Sequence, residues 1–433
     1  MRRQQTWLRA ALSVVVVSGL IVAVSACSGS GAAKPRAESP MLIDTPMPEE
    51  ATVPLEDAVQ HAVAATGSSG AIVGVWAPWS GSWVKAFGEA SPGGEPVSTD
   101  MRFRAGKITR AMICDVLYQV AAEGTVNLDD SVTQWVSGVA DMSKVTLVQL
   151  CNSTSGIGSY SNTLMPLWLQ NPDRVWAPKE LVSFGLGDVS EVPPGQVFRD
   201  SDSGYVLLGL ALERATNRSA AELLDQYVFA RLGMNETALP EPPPAPPATD
   251  APVLNGYYTD NDAEGNPLCS EPTDVTRVSS SIGYTDSGVV STITDLGRYA
   301  RALAAGALVP PDASRFDPLK AVSANGPSWF RYGGGAYSAG QLVGQYGVAP
   351  GYLSAAYADP TSGLTVAVVL NDARTGAGMP TYLAWELAAL ASKIPVTVDG
   401  REPVAGLPWT PEQYRDAIEG HHLCPGQEEE PAA

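Results

Sequence analysis

Histidine is almost absent from this 433-residue chain, and lysine is scarce. The three histidines are His61, His421 and His422, so a Ser-His-Asp triad would need one from near either end of the chain. The motif Gly-x-Ser-x-Gly does not occur, which excludes the nucleophile elbow of one hydrolase class. Cys-x-x-Cys is also missing, and His421-His422 beside Cys424 has no matching second pair, so we expect no metal and no cofactor.

The chain also has few basic residues: 27 lysines and arginines against 46 acidic residues, for a net charge of −19. Nucleic acid is therefore excluded as a partner, because phosphate contacts need a basic surface. The same balance argues against a polybasic attachment to anionic lipids. An apolar content of 45% is enough for a large core in one or two domains.

The N-terminal segment has the order of a bacterial export signal. Arginines in the first nine residues precede an apolar run of 17 residues, 10–26, which ends at Cys27. The run is shorter than the roughly 20 residues of a spanning helix. We therefore predict a signal peptide over 1–26, a lipid on Cys27 on the outer side of the cytoplasmic membrane, and a flexible tether over 27–52. An uncleaved anchor helix is the alternative, and it predicts the same side of the membrane.

Four cysteines remain beyond Cys27, namely Cys114, Cys151, Cys269 and Cys424. In an oxidising compartment this even number predicts two disulfides in one of three connectivities.

Helical and β-rich segments follow one another in separate blocks, which favours an α+β fold over a doubly wound sheet. Helices are predicted over 55–65, 108–123, 147–151, 205–216, 295–305 and 381–394, and β-rich runs over 71–76, 82–87, 329–341, 345–357 and 364–370. Residues 240–252 contain seven prolines and predict an exposed insert with no helix or strand. The main domain is expected over 53–398, followed by a C-terminal extension over 399–433.

Seven phrases in the central part of the chain resemble, in order, those of one enzyme family. They are 101–110, 124–132 (GTVNLDDSV), 146–156, the stretch from Pro194-Gly195 to 203–209, Leu232-Gly233-Met234, 288–296 and Pro350-Gly351-Tyr352. The family comprises class C serine β-lactamases, D-alanyl-D-alanine carboxypeptidases and related esterases, which share the penicillin-binding-protein fold. The resemblance implies an antiparallel sheet flanked by helices, with a helical subdomain.

The residues at the family's first catalytic motif cannot perform its chemistry. Where the family has Ser-x-x-Lys, this chain has Lys107 and Arg110. Lys107 has no hydroxyl group for nucleophilic attack, and Arg110 stays protonated and cannot act as a base.

The other two motifs are replaced as well. Asp200 and Asp202 stand at the family's Tyr-x-Asn, and Gln345-Tyr346-Gly347 stands at its Lys-Thr-Gly or His-x-Gly. If the family geometry holds, Lys107 and Arg110 face the two aspartates, and the charges of these four groups sum to zero. Either the four side chains form a buried ion-pair cluster, or they are separately solvated at a pocket mouth.

The resemblance also implies a disulfide pairing. Cys114 lies two helical turns beyond Lys107, on the same helix face, and Cys151 ends a helix that packs nearby in the family. We therefore expect Cys114–Cys151 and Cys269–Cys424.

No other serine in the chain is expected to form a replacement catalytic site. Ser82 and Lys85 fit Ser-x-x-Lys in the sequence, but they lie in a predicted strand, where residues three apart point to opposite faces. Ser153, Ser155 and Ser201 are expected to serve turns and helix caps.

Three functions remain open at this stage. The first is a non-catalytic envelope protein that binds a peptidoglycan-related or other envelope ligand. The second is a hydrolase with an unrecognised nucleophile in the same pocket. The third is an adaptor that acts through the proline-rich segment and the outer surface.

The first of these functions, a non-catalytic protein, can be tested directly. The purified protein is expected neither to hydrolyse nitrocefin nor to form a stable acyl adduct with fluorescent penicillin, because positions 107 and 110 supply neither nucleophile nor base. Labelling that survives denaturing gel electrophoresis would contradict it.

Overall fold

The computed structural model describes residues 41–424 except 140, 141, 241–251, 312 and 399. Its α-helices are α1 Glu49–Thr66, α2 Thr109–Ala122, α3 Leu147–Cys151, α4 Ser161–Gln170, α5 Pro178–Leu186, α6 Asp202–Thr216, α7 Ala220–Leu224, α8 Ala230–Leu232, α9 Tyr284–Ser287, α10 Ile293–Ala304, α11 Gly378–Ala391 and α12 Pro411–Glu419. The strands are β1 Gly70–Ala77, β2 Gly81–Gly88, β3 Phe103–Arg104, β4 Tyr257–Tyr258, β5 Thr273–Asp274, β6 Val290–Ser291, β7 Lys320–Ala321, β8 Phe330–Gly333, β9 Ala336–Ala339, β10 Leu342–Ala349, β11 Tyr352–Ala358 and β12 Thr365–Leu370.

An eight-stranded antiparallel sheet in the order β2-β1-β12-β11-β10-β9-β8-β7 organises the fold. Because successive side chains in a strand point to opposite faces, one strand contributes to two cores. Val73 and Val75 of β1 lie in the core shared with α1 and α11, whereas Ile72 lies in the core shared with α2 and α10. The predicted α+β class, an antiparallel sheet flanked by helices, is confirmed.

The segment between β2 and β7 carries a helical subdomain and brings the site together. The 3₁₀ turn Gly106–Ile108 leads into α2 and packs beside β10, while α6 and α9 both pack against α2. The start of α2, the start of α6, α9 and strand β10 therefore converge at one place.

Several element boundaries differ from the predictions. Helix α1 begins at Glu49, inside the predicted tether, with Glu49 and Glu50 in its first turn, where carboxylates are favoured, and it includes Pro54. The run 345–357 is two strands because Gly351, at φ 85°, turns the chain after Pro350. The run 329–341 likewise divides at Gly334 and Gly335 into β8 and β9.

The described part of the C-terminal extension, 400–424, packs on the domain as part of the same compact unit. Helix α12 lies against α11 and α1, and the backbone N–H of Leu423 donates to the carbonyl oxygen of Ala65 at 2.8 Å. The signal peptide, Cys27 and nearly all of the proline-rich insert lie outside the described residues. None of the helices described is long and apolar enough to cross a membrane.

The two disulfides in the structure are the predicted pairs, Cys114–Cys151 and Cys269–Cys424. The first joins α2 to α3. The second joins the end of the chain to the segment after β4, across a sequence separation of 155 residues.

Replacing both Cys269 and Cys424 by serine is expected to lower the free energy of unfolding by about 2–5 kcal/mol, because the bond closes a long loop in the unfolded chain. Residues 411–424 should then exchange amide hydrogens faster than β11 and β12. Peptide mapping without reduction gives the pairing directly. Recovery of any other pairing, or unchanged exchange at the C-terminus, would show that the bond does not hold this segment.

Candidate functional site

Two helix starts carry the charged residues of the candidate site. Lys107 lies in the 3₁₀ turn that opens into α2, and Arg110 follows one turn later. Asp200 and Asp202 flank Ser201, whose hydroxyl caps α6 by accepting a hydrogen bond from the N–H of Gly204 at 2.9 Å. A helix N-terminus favours a carboxylate, so this placement suits both aspartates.

The four groups form salt bridges with one another. Lys107 Nζ lies 3.0 Å from an oxygen of Asp200 and 3.0 Å from an oxygen of Asp202. Arg110 donates through one terminal nitrogen to Asp200 and through the other to Asp202, the latter at 2.5 Å. The side chains of Arg110 and Asp202 are 1% and 0% exposed, whereas that of Asp200 is 39% exposed. The arrangement is therefore the ion-pair cluster, and the separately solvated alternative is wrong.

A third carboxylate, Asp286 of α9, completes the cluster. Its Oδ1 accepts from Arg110 Nε at 2.7 Å, and its Oδ2 accepts from the hydroxyl of Tyr160 at 3.2 Å. The sequence prediction missed Asp286 because it precedes the phrase 288–296 and belongs to no motif. With this residue, three carboxyl groups face two cations, one more than the four groups that the motifs indicate.

The pKa shifts separate the three aspartates. Burial opposes the ionisation of Asp200 and Asp202, but the nearby Arg110 and Lys107 overcome it and hold the pKa of both carboxyl groups below the ordinary value. For Asp286 burial prevails, despite Arg110, and raises the pKa. Asp202 contacts both cations and Asp286 only one, which explains the opposite directions.

Gln345 and Gly347 on β10 have different roles. The side-chain amide of Gln345 donates to the carbonyl oxygen of Gly335 at 2.8 Å and to the hydroxyl of Tyr332 at 3.3 Å, and no contact with the cluster is present among the described residues. Gly347 faces the cluster: a Cβ there would lie 2.5 Å from the Cβ of Lys107. Glycine at this position therefore leaves the space that the Lys107 side chain occupies.

The remaining serine candidates have structural partners. The hydroxyl of Ser153 bonds to that of Tyr205 at 3.2 Å, that of Ser155 accepts from the N–H of Ile157, and Ser201 caps α6. Lys85 of β2 forms a salt bridge with Glu56 of α1 at 2.6 Å. Ser155 and Ser201 thus have the expected turn and cap hydrogen bonds, whereas the hydroxyl of Ser153 bonds to a buried tyrosine instead.

A groove of about 630 Å³ lies over the ion cluster. Its floor includes Lys107 and Asp286, and its walls come from α4, the segment around Tyr258 and the loop that carries Arg374. One wall is mostly apolar and is formed by the side chains of Met165, Trp168 and Leu169. The volume lies within the range of small-ligand sites in proteins.

The antiparallel sheet, the helical subdomain and a groove at their junction define a protein of the serine β-lactamase and penicillin-binding-protein class. The beta-lactamase family model matches residues 55–390, and the chain belongs to that family.

This chain is similar over much of its length to several named proteins and solved structures. Penicillin-binding protein 4* of Bacillus subtilis (strain 168) is 26% identical over 267 residues, which span 59% of this chain and 58% of the relative. A D-stereospecific amidohydrolase from Streptomyces sp. superposes with a TM-score of 0.63 at 27% identity, covering 73% of this chain and 94% of its own. A D-amino acid amidase from Ochrobactrum anthropi SV3 gives 0.61 at 23% identity, covering 73% and 92%, and shares the fold.

Two isosteric variants distinguish the carboxylates. Asp202→Asn is expected to lower the free energy of unfolding by about 3 kcal/mol at neutral pH, because it breaks buried pairs with both cations. Asp286→Asn keeps acceptors and donors for Arg110 and Tyr160, so it should change stability by less than about 1 kcal/mol. Urea unfolding of both variants beside wild type measures this.

The pH dependence has opposite signs at the two positions. Asp202 has a lowered pKa, so its ionised form stabilises the fold above its unfolded pKa near 4. The difference in free energy of unfolding between wild type and Asp202→Asn therefore shrinks as the pH falls below about 4. Asp286 has a raised pKa, so the free energy of unfolding of wild type falls as the pH rises above about 4. Asp286→Asn does not ionise at this position and should not show that fall. Parallel pH curves for the two variants would refute this account of the cluster.

Proposed function

We propose that this protein is a non-catalytic member of the beta-lactamase family, anchored in the cell envelope by a lipid on Cys27, whose groove binds a short cell-wall peptide. One observation carries the proposal. The two positions of the family's nucleophile and base are held in a buried ion cluster, while the groove above them is open.

The bonding of the cluster argues against catalysis. All three side-chain nitrogens of Arg110 donate to carboxylates, and Lys107 lies between two of them. These contacts raise the pKa of Lys107 despite its burial, so the amine stays protonated and cannot act as a base or nucleophile. A cluster with these contacts serves as a rigid floor for the groove.

The groove has chemistry that suits a peptide with free charged ends. Arg374 donates to the hydroxyl of Tyr258 at 2.8 Å and forms no salt bridge with a residue that the structure describes. Its guanidinium group is available for a carboxylate. Asp260, also in the lining, offers a carboxylate for an amine. The named relatives include a penicillin-binding protein and a D-stereospecific amidohydrolase, so we assign the ligand to peptides that carry D-amino acids, as in peptidoglycan stems.

Calorimetric titration with a stem peptide ending in D-alanyl-D-alanine tests the proposal. Wild type is expected to bind this peptide and to bind an otherwise identical peptide ending in L-alanyl-L-alanine more weakly. Arg374→Met should weaken binding about tenfold by removing a charged hydrogen bond. Arg331→Met is the matched control, because Arg331 is exposed on β8 and does not line the groove. Equal affinity for both peptides, or equal losses in both variants, would contradict the proposal.

One observation favours hydrolysis as a second candidate. Asp286 has a raised pKa and lines the groove together with Ser161 and Ser287, so a carboxyl group that could accept a proton lies in the same groove as two hydroxyl groups. Treatment with a fluorophosphonate probe separates the two functions. Absence of labelling supports the binding protein, and a label mapped to Ser161 or Ser287 establishes the hydrolase.

A further inference from the structure

All three histidines of the chain lie in one small region, and none of them lines the groove. His61 is on α1, and His421 and His422 follow α12. Glu419, the last residue of α12, lies between two of them: its Oε2 is 2.6 Å from Nε2 of His61 and 3.1 Å from Nε2 of His422. His61 and Glu419 are 358 residues apart in the sequence.

We propose that His61, Glu419 and His422 form a zinc site that clamps the C-terminal segment to α1. One nitrogen from each imidazole and one carboxylate oxygen lie within 4.8 Å of one another. Two imidazoles and a carboxylate are a ligand set that Zn²⁺ accepts, with water as the fourth ligand. Calcium and magnesium prefer oxygen ligands throughout.

The geometry needs only small adjustments to hold the ion. Zinc bonds of about 2.1 Å in a tetrahedral site place ligand atoms about 3.4 Å apart, so the carboxylate would move slightly away from both rings. The side chains of Glu419 and His422 are 65% and 30% exposed, which gives them freedom to move and leaves room for a water ligand. His61 is more enclosed, and its Nδ1 is buried without a hydrogen-bond partner in the described part of the chain. Its Nε2 is thus the nitrogen that faces the site.

The site would reinforce contacts that already hold the C-terminal segment. Arg415 pairs with Asp57 of α1 at 2.7 Å, and Cys424 forms the disulfide with Cys269. The segment also forms a wall of a second, aromatic cavity of about 550 Å³, to which α12 contributes Tyr414. A metal at the end of α12 would therefore fix this wall as well as the chain end.

The earlier expectation of no metal rested on the lack of a second ligand pair near His421-His422. The fold supplies the missing ligand from α1. It also selects His422 rather than His421, because His421 instead contacts the carbonyl oxygen of Ala417 through Nδ1 at 2.7 Å.

Titration of the purified, tag-free protein with zinc chloride tests the site. Wild type is expected to bind one Zn²⁺ per chain and to melt at a higher temperature with zinc, an increase that EDTA reverses. His422→Ala, His61→Gln and Glu419→Gln should each weaken binding at least about tenfold, a typical loss at metal sites. Magnesium chloride should give no saturable binding.

His421→Ala is the matched control, since it removes the neighbouring imidazole and leaves the three ligands in place. It is expected to bind zinc like wild type. Failure of wild type to bind zinc saturably, or an equal loss in His421→Ala, would overturn the proposal. His422 is at the surface, so its variant remains informative if His61→Gln folds poorly.

Discussion

The guanidinium group of Arg110 is the constraint on which this part of the structure depends. It is buried, so its charge needs partners, and it bonds to three carboxylates: Asp200 just before α6, Asp202 at the start of α6 and Asp286 on α9. These contacts join α2, the start of α6 and α9, and the ring of Tyr205 lies 4.8 Å from the guanidinium carbon. The helical subdomain is thus connected through a charged centre at the position where relatives in this family carry out chemistry.

The cluster shows how buried charge at the family's motif positions is compensated in this chain. Replacing a serine and a lysine by two long cations would leave buried charge beside the sheet unless anions were added. Asp200, Asp202 and Asp286 are those anions, and Gly347 gives Lys107 its space. Because every charged group in the cluster has a partner, the cluster is a fixed floor for the groove, and the proposed ligand binding rests on this feature.

The C-terminal segment adds a second stabilised region on the opposite face of the sheet. There α12, a disulfide and ion pairs hold the chain end against α1, and Trp385, Trp409 and Tyr414 pack together beneath it. The proposed zinc site belongs to this region. None of its three ligands lines the groove, so the two can be perturbed by different substitutions.

The sequence by itself determined the family and the α+β class, because the motif phrases keep the family's order, and the same resemblance implied the disulfide pairs. It also placed Lys107 and Arg110 opposite Asp200 and Asp202, since these residues occupy matched motif positions. Tertiary structure alone decided that Asp286, which belongs to no motif, joins the cluster. It likewise brought His61 to His422, because contacts between residues so distant in sequence leave no local periodicity or spacing from which to predict them.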